Sequence, residues 1–440
     1  MQLQQMRSPQ LDGTPRIRQF AASLGVRLAG INWALVAILV AALALRLLRI
    51  LDYNASVPDA FSTLGGDEPG YANLARGLWA GDFFSWPGRV PLYPAFIASV
   101  FVAAGHESYR WVRIVQCFVG LIPVWLTYLL GRRIFGKRAG LIAALLVAVC
   151  FPLYVEPRVV LSENLFTPML LAIAWLTLDA VERPTGGRFA ILGVSIGIAD
   201  LIRPTLALYP LFMMIALPVL LPRKRAWRLG VVAGLAAGIT IFPWTLHNYI
   251  RYHALIPLAT SNAAVWQASP EFDHVIKRIG YMRVWREVLY GPGWEKHDPT
   301  SVEGDKYWTE RGLRSIRQAP LEYLAISFRR IFLYWVGDPG NDWNNGPPLS
   351  YKGLREAGYV PSEAGLLMIE RLVPLLIPLA VFVLWSERRR FFTLYMMLLF
   401  ATLFHAATIA VARLSEPFLP FVMTLIACAF DRLTGAPTRT

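Results

Sequence analysis

Long apolar runs separated by short basic connections dominate the chain. About 20 apolar residues suffice for a helix to cross a ~30 Å hydrocarbon layer. Runs of this kind fall near 30–51, 109–131, 138–154, 161–181, 187–201, 204–221, 228–246, 366–385, 391–410 and 414–431, so the pattern predicts about ten transmembrane helices. Two other apolar stretches fit less well. "LYPAFIASVFVAA", 92–104, is too short, and "LEYLAISFRRIFLYWV", 321–336, carries Arg329 and Arg330 at its middle, where charge is costly in hydrocarbon. Both are read as juxtamembrane or re-entrant helices against the outer leaflet. After the first run comes "GGDEPGYANLARGLWAGDFF", 65–84. Pro69 suits the first turn of a helix, Asp67 or Glu68 suits its cap, and Tyr71, Leu74, Ala75, Leu78 and Trp79 recur on one face, which predicts an amphipathic helix.

Charge orients these elements. The connections "GRRIFGKRAG", "ERPTGGR", "PRKRAWR" and "SERRR" hold thirteen basic residues, whereas the short connections of the other side supply Arg158, Arg203 and Arg413. The positive-inside rule then puts both termini in the cytoplasm and the long loops 52–108 and 247–365 on the outer face of the cytoplasmic (inner) membrane. Residues 1–29 carry Arg7, Arg16, Arg18 and Arg27 without a convincing cleavage site, so they are read as a cytoplasmic tail before an uncleaved first span. Residues 30–431 form one multi-pass domain and 432–440 a second cytoplasmic tail on this reading.

Composition supports the membrane class: of 440 residues 55% are hydrophobic and 16% charged, which excludes an ordinary soluble domain. A net charge of +14 invites a nucleic-acid reading, but the basic residues sit in clusters between apolar runs, so membrane lipids rather than nucleic acid are the expected partners. Cys117, Cys150 and Cys428 lie inside apolar runs and support neither a disulfide framework nor a metal cluster. No 20–50-residue repeat is visible, nor two halves with matching broken helices of the kind transporters carry.

Ionisable groups at span ends gather, in topology, on the outer face: Asp67, Glu68 and Arg89; Arg158 and Glu163; Asp200 and Arg203; His247, Asn248 and Arg251; Arg413 and Glu416. Each has a structural reading beside a chemical one. Asp67 suffices as an N-cap worth about 1 kcal/mol. The arginines, with Arg46 and Arg49 of the first span, can snorkel to headgroups, and Glu163 and Asp200 can simply pair with arginine. Trp285, Trp294, Trp308, Trp335 and Trp343 fit an interfacial belt or sugar-stacking faces.

The order of several segments resembles one enzyme group. Asp67-Glu68, "YANLARGLWAGDFF", "GRVPLYP" with its Tyr93, "RVVLSENLF", "LIRPT", "PWTLHNYIRYHALIPLATSNA" and "ARLSEPFLPF" follow one another over residues 30 to 430. They are similar to the polyprenyl-phosphate-dependent glycosyltransferases of the GT-C fold, in particular the protein O-mannosyltransferases and aminoarabinose transferases of glycosyltransferase families 39 and 83. Two departures stand out. His247 occupies the place of a usual arginine, so positive charge there depends on protonation. The apolar runs also stop near residue 431, without the extra C-terminal spans or soluble domain of some members.

The resemblance implies an all-α GT-C-like bundle of about ten transmembrane helices with outer-face juxtamembrane helices. It also implies transfer of a sugar from a polyprenyl phosphate to an acceptor hydroxyl of a lipid, glycan or protein, with inversion. A base must take the acceptor's proton and cations must hold the departing phosphate. Asp67 is the expected base, and Glu68 orients it or the acceptor. Arg89, Arg158, Arg203, Arg251 and Arg413 are the expected phosphate ligands, with Tyr93, Glu163, His247 and Asn248 as further binding residues. No cofactor is required by the sequence; a divalent ion is used by some members of the wider fold, but no ligand spacing here calls for one. The alternatives from other classes are a transporter or flippase of lipid-linked sugar or polysaccharide, and a non-catalytic assembly subunit that keeps the fold.

Overall fold

The computed structural model describes residues 32–82, 86–280, 283–291, 297–337 and 361–435. Among the described residues six helical segments are long and apolar enough to cross a membrane: Trp33–Ser56 (α1), Tyr109–Ile134, Glu163–Glu182, Arg223–Tyr252, Pro361–Val383 and Ala412–Thr434. A seventh results if Lys137–Val149 and Phe151–Arg158, bent by 58° where they meet, count as one span. The expected number of ten is therefore not reached by length and apolarity. The runs read as spans at 187–201, 204–221 and 391–410 fall on shorter helices, Gly186–Ile202, Tyr209–Ala216 and Phe392–Ala407. Pro210 in the first turn of Tyr209–Ala216 and Pro218 within the following Leu217–Val219 turn interrupt that stretch, because proline cannot continue the backbone ladder.

In chain order the elements that build the site are α2 (Glu68–Trp79), α3 (Leu92–Ala104), α4 (Tyr109–Val119), α5 (Leu121–Ile134), α6 (Glu163–Glu182), α7 (Gly186–Ile202) and α8 (Arg223–Tyr252). They are followed by α9 (Ala264–Gln267), α10 (Pro270–Ile279), α11 (Val302–Gln318), α12 (Pro320–Trp335), α13 (Phe392–Ala407) and α14 (Leu419–Thr434). The amphipathic helix expected after the first span is α2. Its Tyr71, Leu74 and Ala75 are buried as the period predicts, whereas Leu78 is half-buried and Trp79 exposed. Small residues set the tightest helix crossing. A Cβ on Gly193 would meet the Ala233 carbonyl oxygen at 2.2 Å and one on Gly197 would meet that of Ala237 at 2.9 Å, so this GxxxG pair lets α7 and α8 approach backbone to backbone. The outward side of α8 leaves Val231, Leu235, Ile239 and Phe242 exposed, an apolar stripe suited to lipid.

The loop 247–365 contains more regular structure than hydropathy suggests. Ser269 and Ser301 cap α10 and α11 by accepting from the N–H groups of Phe272 (3.4 Å) and Gly304 (3.0 Å). Acidic residues fill both first turns, Glu271 and Asp273 or Glu303 and Asp305, and basic residues the last turns. The run 321–336 falls on α12. Its Arg330 is fully buried and donates to the Gln267 carbonyl at 3.2 Å, while Arg329 pairs with Asp273. Protein carbonyl and carboxylate thus receive the two arginines that seemed misplaced in an apolar run.

Candidate functional site

Asp67 precedes α2 with φ −83° and ψ −14° and makes no side-chain cap hydrogen bond. The capping expectation fails here because both carboxylate oxygens are taken by guanidinium groups. Arg89 Nη2 donates to Oδ1 at 3.0 Å and Arg413 Nη2 to Oδ2 at 2.8 Å. Arg413 Nε also lies 3.5 Å from Glu163 Oε1, which Arg203 Nη1 approaches to 2.9 Å. Arg203 Nη1 reaches Ser162 Oγ at 3.3 Å, that hydroxyl lies 3.0 Å from the Tyr71 hydroxyl, and the Arg89 guanidinium sits 5.1 Å from the centre of the Tyr71 ring. The contacts close a ring of three arginines and two carboxylates, with a formal excess of one positive charge. Burial alone would raise the Asp67 carboxyl, but Arg89 and Arg413 outweigh it and hold Asp67 below the usual carboxylate range.

The ring opens on a cavity of about 320 Å³. Asp67, Arg89, Glu163, Arg203 and Arg413 line it from the first loop and the helix ends, and Thr260, Ser261, Asn262 and His405 are among its other polar lining residues. His405 was not singled out in the sequence, since a lone histidine in an apolar run carries no spacing signal. Its Nδ1 lies 2.9 Å from the Ala401 carbonyl and its ring stacks on Tyr334 at 4.5 Å. A carbonyl can only accept, so Nδ1 carries a proton.

The other expected site residues lie away from this lining. Glu68 is buried and turned inward. Oε1 accepts from Val160 N–H at 2.8 Å and Oε2 from Gly65 N–H at 2.9 Å, so it anchors α2 to the segment that leads into α6. Tyr93 is fully buried one layer behind Tyr71, edge-to-face at 5.0 Å, and donates to Gln116 Oε1 at 2.6 Å; burial pushes its phenol well up. The Arg158 guanidinium lies 5.8 Å from the Tyr53 ring centre. His247 stacks on Trp244 at 5.1 Å, Asn248 donates to the Ile256 and Leu258 carbonyls at 3.0 and 3.2 Å, and Arg251 is exposed in the last turn of α8. Asp200 is fully buried and accepts from Leu206 N–H at 2.8 Å, and Glu416 pairs with Arg371 at 2.8 Å.

The tryptophan expectations divide likewise. Trp308 and Trp335 are core residues, donating to the His297 carbonyl at 2.8 Å and Thr402 Oγ1 at 3.0 Å, and serve neither as belt nor as sugar platform. Trp294, Trp343 and the Trp285 side chain lie outside the described residues.

Comparison with known proteins gives this arrangement a context. Residues 89–247 match the family described as dolichyl-phosphate-mannose-protein mannosyltransferase. Over 239 residues the chain is 26% identical to undecaprenyl phosphate-alpha-4-amino-4-deoxy-L-arabinose arabinosyl transferase 1 of Pseudomonas fluorescens, covering 50% of this chain and 40% of that protein. Over 135 residues it is 33% identical to dolichyl-phosphooligosaccharide-protein glycotransferase 3 of Archaeoglobus fulgidus, covering 27% of this chain and 16% of that one. Among solved structures, the oligosaccharyltransferase AglB of Archaeoglobus fulgidus, in complex with an inhibitory peptide and a dolichol-phosphate, superimposes over 92% of this chain and 52% of its own, with a TM-score of 0.53 at 17% identity. The chain has the GT-C fold. It spans less than half the length of the curated relatives it matches and about half of that solved structure.

Within the GT-C fold, the matched segment contains Arg89, Glu163 and Arg203 but not Asp67 or Arg413. The fold therefore joins residues from inside and outside the matched region into one charged ring. Among the described residues no three of His, Cys, Asp or Glu converge to hold a metal ion. The two carboxylates at the cavity, Asp67 and Glu163, are engaged by guanidinium groups.

Proposed function

We propose that the protein is an integral membrane glycosyltransferase that moves a sugar from a polyprenyl phosphate to an acceptor hydroxyl at the outer face of the cytoplasmic membrane. The observation that carries this reading is the pairing of Arg89 and Arg413 with one partly exposed carboxylate, Asp67, in a cavity beside Arg203. Arginine forks suit a phosphate, and the transferases to which the chain is similar are named for undecaprenyl- and dolichyl-phosphate-linked donors. Those names favour transfer over transport of the lipid-linked sugar.

The chemistry follows from the ring. An incoming lipid phosphate competes with Asp67 for Arg89 and Arg413. As guanidinium groups turn to the phosphate, the Asp67 carboxylate loses the partners that depress its basicity and becomes able to accept a proton. The acceptor oxygen then attacks the anomeric carbon from the face opposite the phosphate, its proton passes to Asp67, and the carbon–oxygen bond to phosphate breaks with inversion. The lipid phosphate leaves with its developing charge held by the arginines, and Glu163 keeps Arg203 and Arg413 oriented.

The test is Asp67→Asn in the full-length protein, assayed for transfer from undecaprenyl-phosphate-linked sugar. The expected loss is at least about 100-fold, the usual lower range for a general base; unchanged transfer would remove Asp67 as the base. The side of the membrane is tested separately with Glu303→Cys in α11. The native Cys117, Cys150 and Cys428 are buried, so a membrane-impermeant maleimide should label only the new thiol in intact spheroplasts. Protection there would sink the outward-facing site.

A further inference from the structure

One stretch of the cavity lining has a backbone unlike the rest. Asn262 and Ala263 are consecutive residues at φ 52° and 61°, and Ala263 is fully buried. Asparagine tolerates the left-handed region, but alanine there is strained by its Cβ and persists only where its surroundings impose it. The surroundings here do so from several directions. Thr260 N–H donates to the Pro87 carbonyl at 3.0 Å and its hydroxyl to the Thr300 carbonyl at 3.0 Å. Asp305 of α11 accepts the Ser261 N–H at 2.8 Å and also its hydroxyl. Gln267 Nε2 donates to the Asn262 carbonyl at 2.9 Å. Behind the turn, Gly312 brings α11 so close that a Cβ there would meet the backbone of Val265 and Trp266 at 2.6 Å.

The product of this bracing is the direction of one side chain. Asn262 lines the cavity, and its Oδ1 is shielded from solvent with no hydrogen-bond partner. A shielded, unpaired amide oxygen is costly, and a rigid frame that keeps one beside a cavity needs an explanation. Charge complementarity does not supply it: an amide is neutral, unlike the arginine ring that shares the cavity. A neutral polar group on a rigid frame suits a hydroxyl, the group a sugar presents in quantity.

We propose that the braced turn Thr260–Asn262 is the sugar-binding part of the cavity and that Asn262 is a specificity-determining residue, accepting a hydrogen bond from a hydroxyl of the donor sugar. The inference rests on the glycosyltransferase reading. In it the two groups of the donor are held by different chemistry: the phosphate by Arg89, Arg203 and Arg413, the sugar by the amide of a strained turn.

Binding of two lipids to the full-length protein in nanodiscs tests it: undecaprenyl phosphate, and undecaprenyl phosphate bearing glucose. Wild-type protein should bind the glucosylated lipid more tightly. Asn262→Ala should weaken that binding about five- to tenfold, the worth of one neutral hydrogen bond, and leave bare undecaprenyl phosphate within twofold. Arg413→Ala should weaken both. Equal effects of Asn262→Ala on the two lipids, or no effect on either, would overturn the assignment while leaving the transferase reading intact. No binding of either lipid by wild-type protein would remove that reading and this one with it. Ala263→Gly, which relieves strain without touching the amide, checks folding independently. It should raise or preserve thermal stability and, by loosening the turn, reduce preference for the glucosylated lipid; an unchanged preference would count against the braced geometry.

Discussion

Two parts of the cavity lining are built by opposite means. The part formed by helix ends, with Glu163, Arg203 and Arg413, is held by ion pairs between side chains from distant segments. The part formed by Thr260–Asn262 is held by backbone hydrogen bonds, a half-buried aspartate contact and close packing against Gly312. The first can exchange partners when an anion arrives, because a guanidinium trades one oxyanion for another. The second cannot, because its geometry is fixed by main-chain contacts. On the proposed reading, the site must release a charged leaving group and still recognise a neutral ring, and so has reason to use both.

The comparison can be broken from either side. The largest expected effect is that of Arg413→Ala, which removes a cation shared by Asp67 and Glu163. Transfer should fall about 100- to 1,000-fold, as when one donor to a developing oxyanion is lost, and a drop below about threefold would show that the charged part is not the phosphate holder. Gly312→Ala strikes the rigid part from behind. Its Cβ has no room against the backbone of Val265 and Trp266, so a loss of about 1–3 kcal/mol in unfolding stability is expected, read by chemical denaturation in detergent. Asp305→Ala deprives Ser261 of its acceptor and should cost about 1–2 kcal/mol, with the apparent KM for donor rising more than kcat falls.

Smaller effects sharpen the contrast between neighbours. Glu68→Gln keeps one backbone contact and spoils the other; a stability change of about 1 kcal/mol is expected, with transfer within about threefold of wild type, unlike the outcome at Asp67. The smallest is a pH effect. Because the folded Asp67 is held below its ordinary value, its ion pairs contribute fully above about pH 3.9, the unfolded range, and that contribution is lost as pH falls through the lower folded value. The melting-temperature difference between wild type and Asp67→Asn should be flat above about pH 5 and shrink below about pH 4. Its amplitude will be modest, since the carboxylate is about 35% exposed.

What the sequence revealed follows this same division. Asp67, Arg89, Glu163, Arg203 and Arg413 were legible because charges at the ends of apolar runs are conspicuous and their sidedness follows from the basic connections. Membership of one membrane face does not fix depth or direction, however. Glu68 and Tyr93 turned out to face the core, Asn248 to tie down its own loop, and Arg158 and Arg251 to lie elsewhere. Helices α10 and α11 escaped an apolar scan because their caps and charged first turns, not hydropathy, announce them. Asn262 gave no signal of its own: a neutral polar residue in a loop is ordinary, and only the left-handed backbone beside it sets it apart. Among the described residues length and apolarity alone pick out six or seven of the ten expected spans, because runs such as 187–201 and 391–410 fold as helices of 17 and 16 residues and 204–221 is interrupted by proline.

In the ring, Asp67 and Glu163 already occupy the guanidinium groups, so any incoming anion has to compete with them. Two tethered carboxylates act at an effective concentration in the millimolar range or above, so chloride or inorganic phosphate in the medium meets competitors already in place. A phosphate carried on a polyprenyl tail is concentrated in the plane of the bilayer and arrives with its own anchoring free energy. On the proposed transferase reading, the ring would then act as a filter on the route of delivery, favouring anions that come through the membrane over those that come from solution.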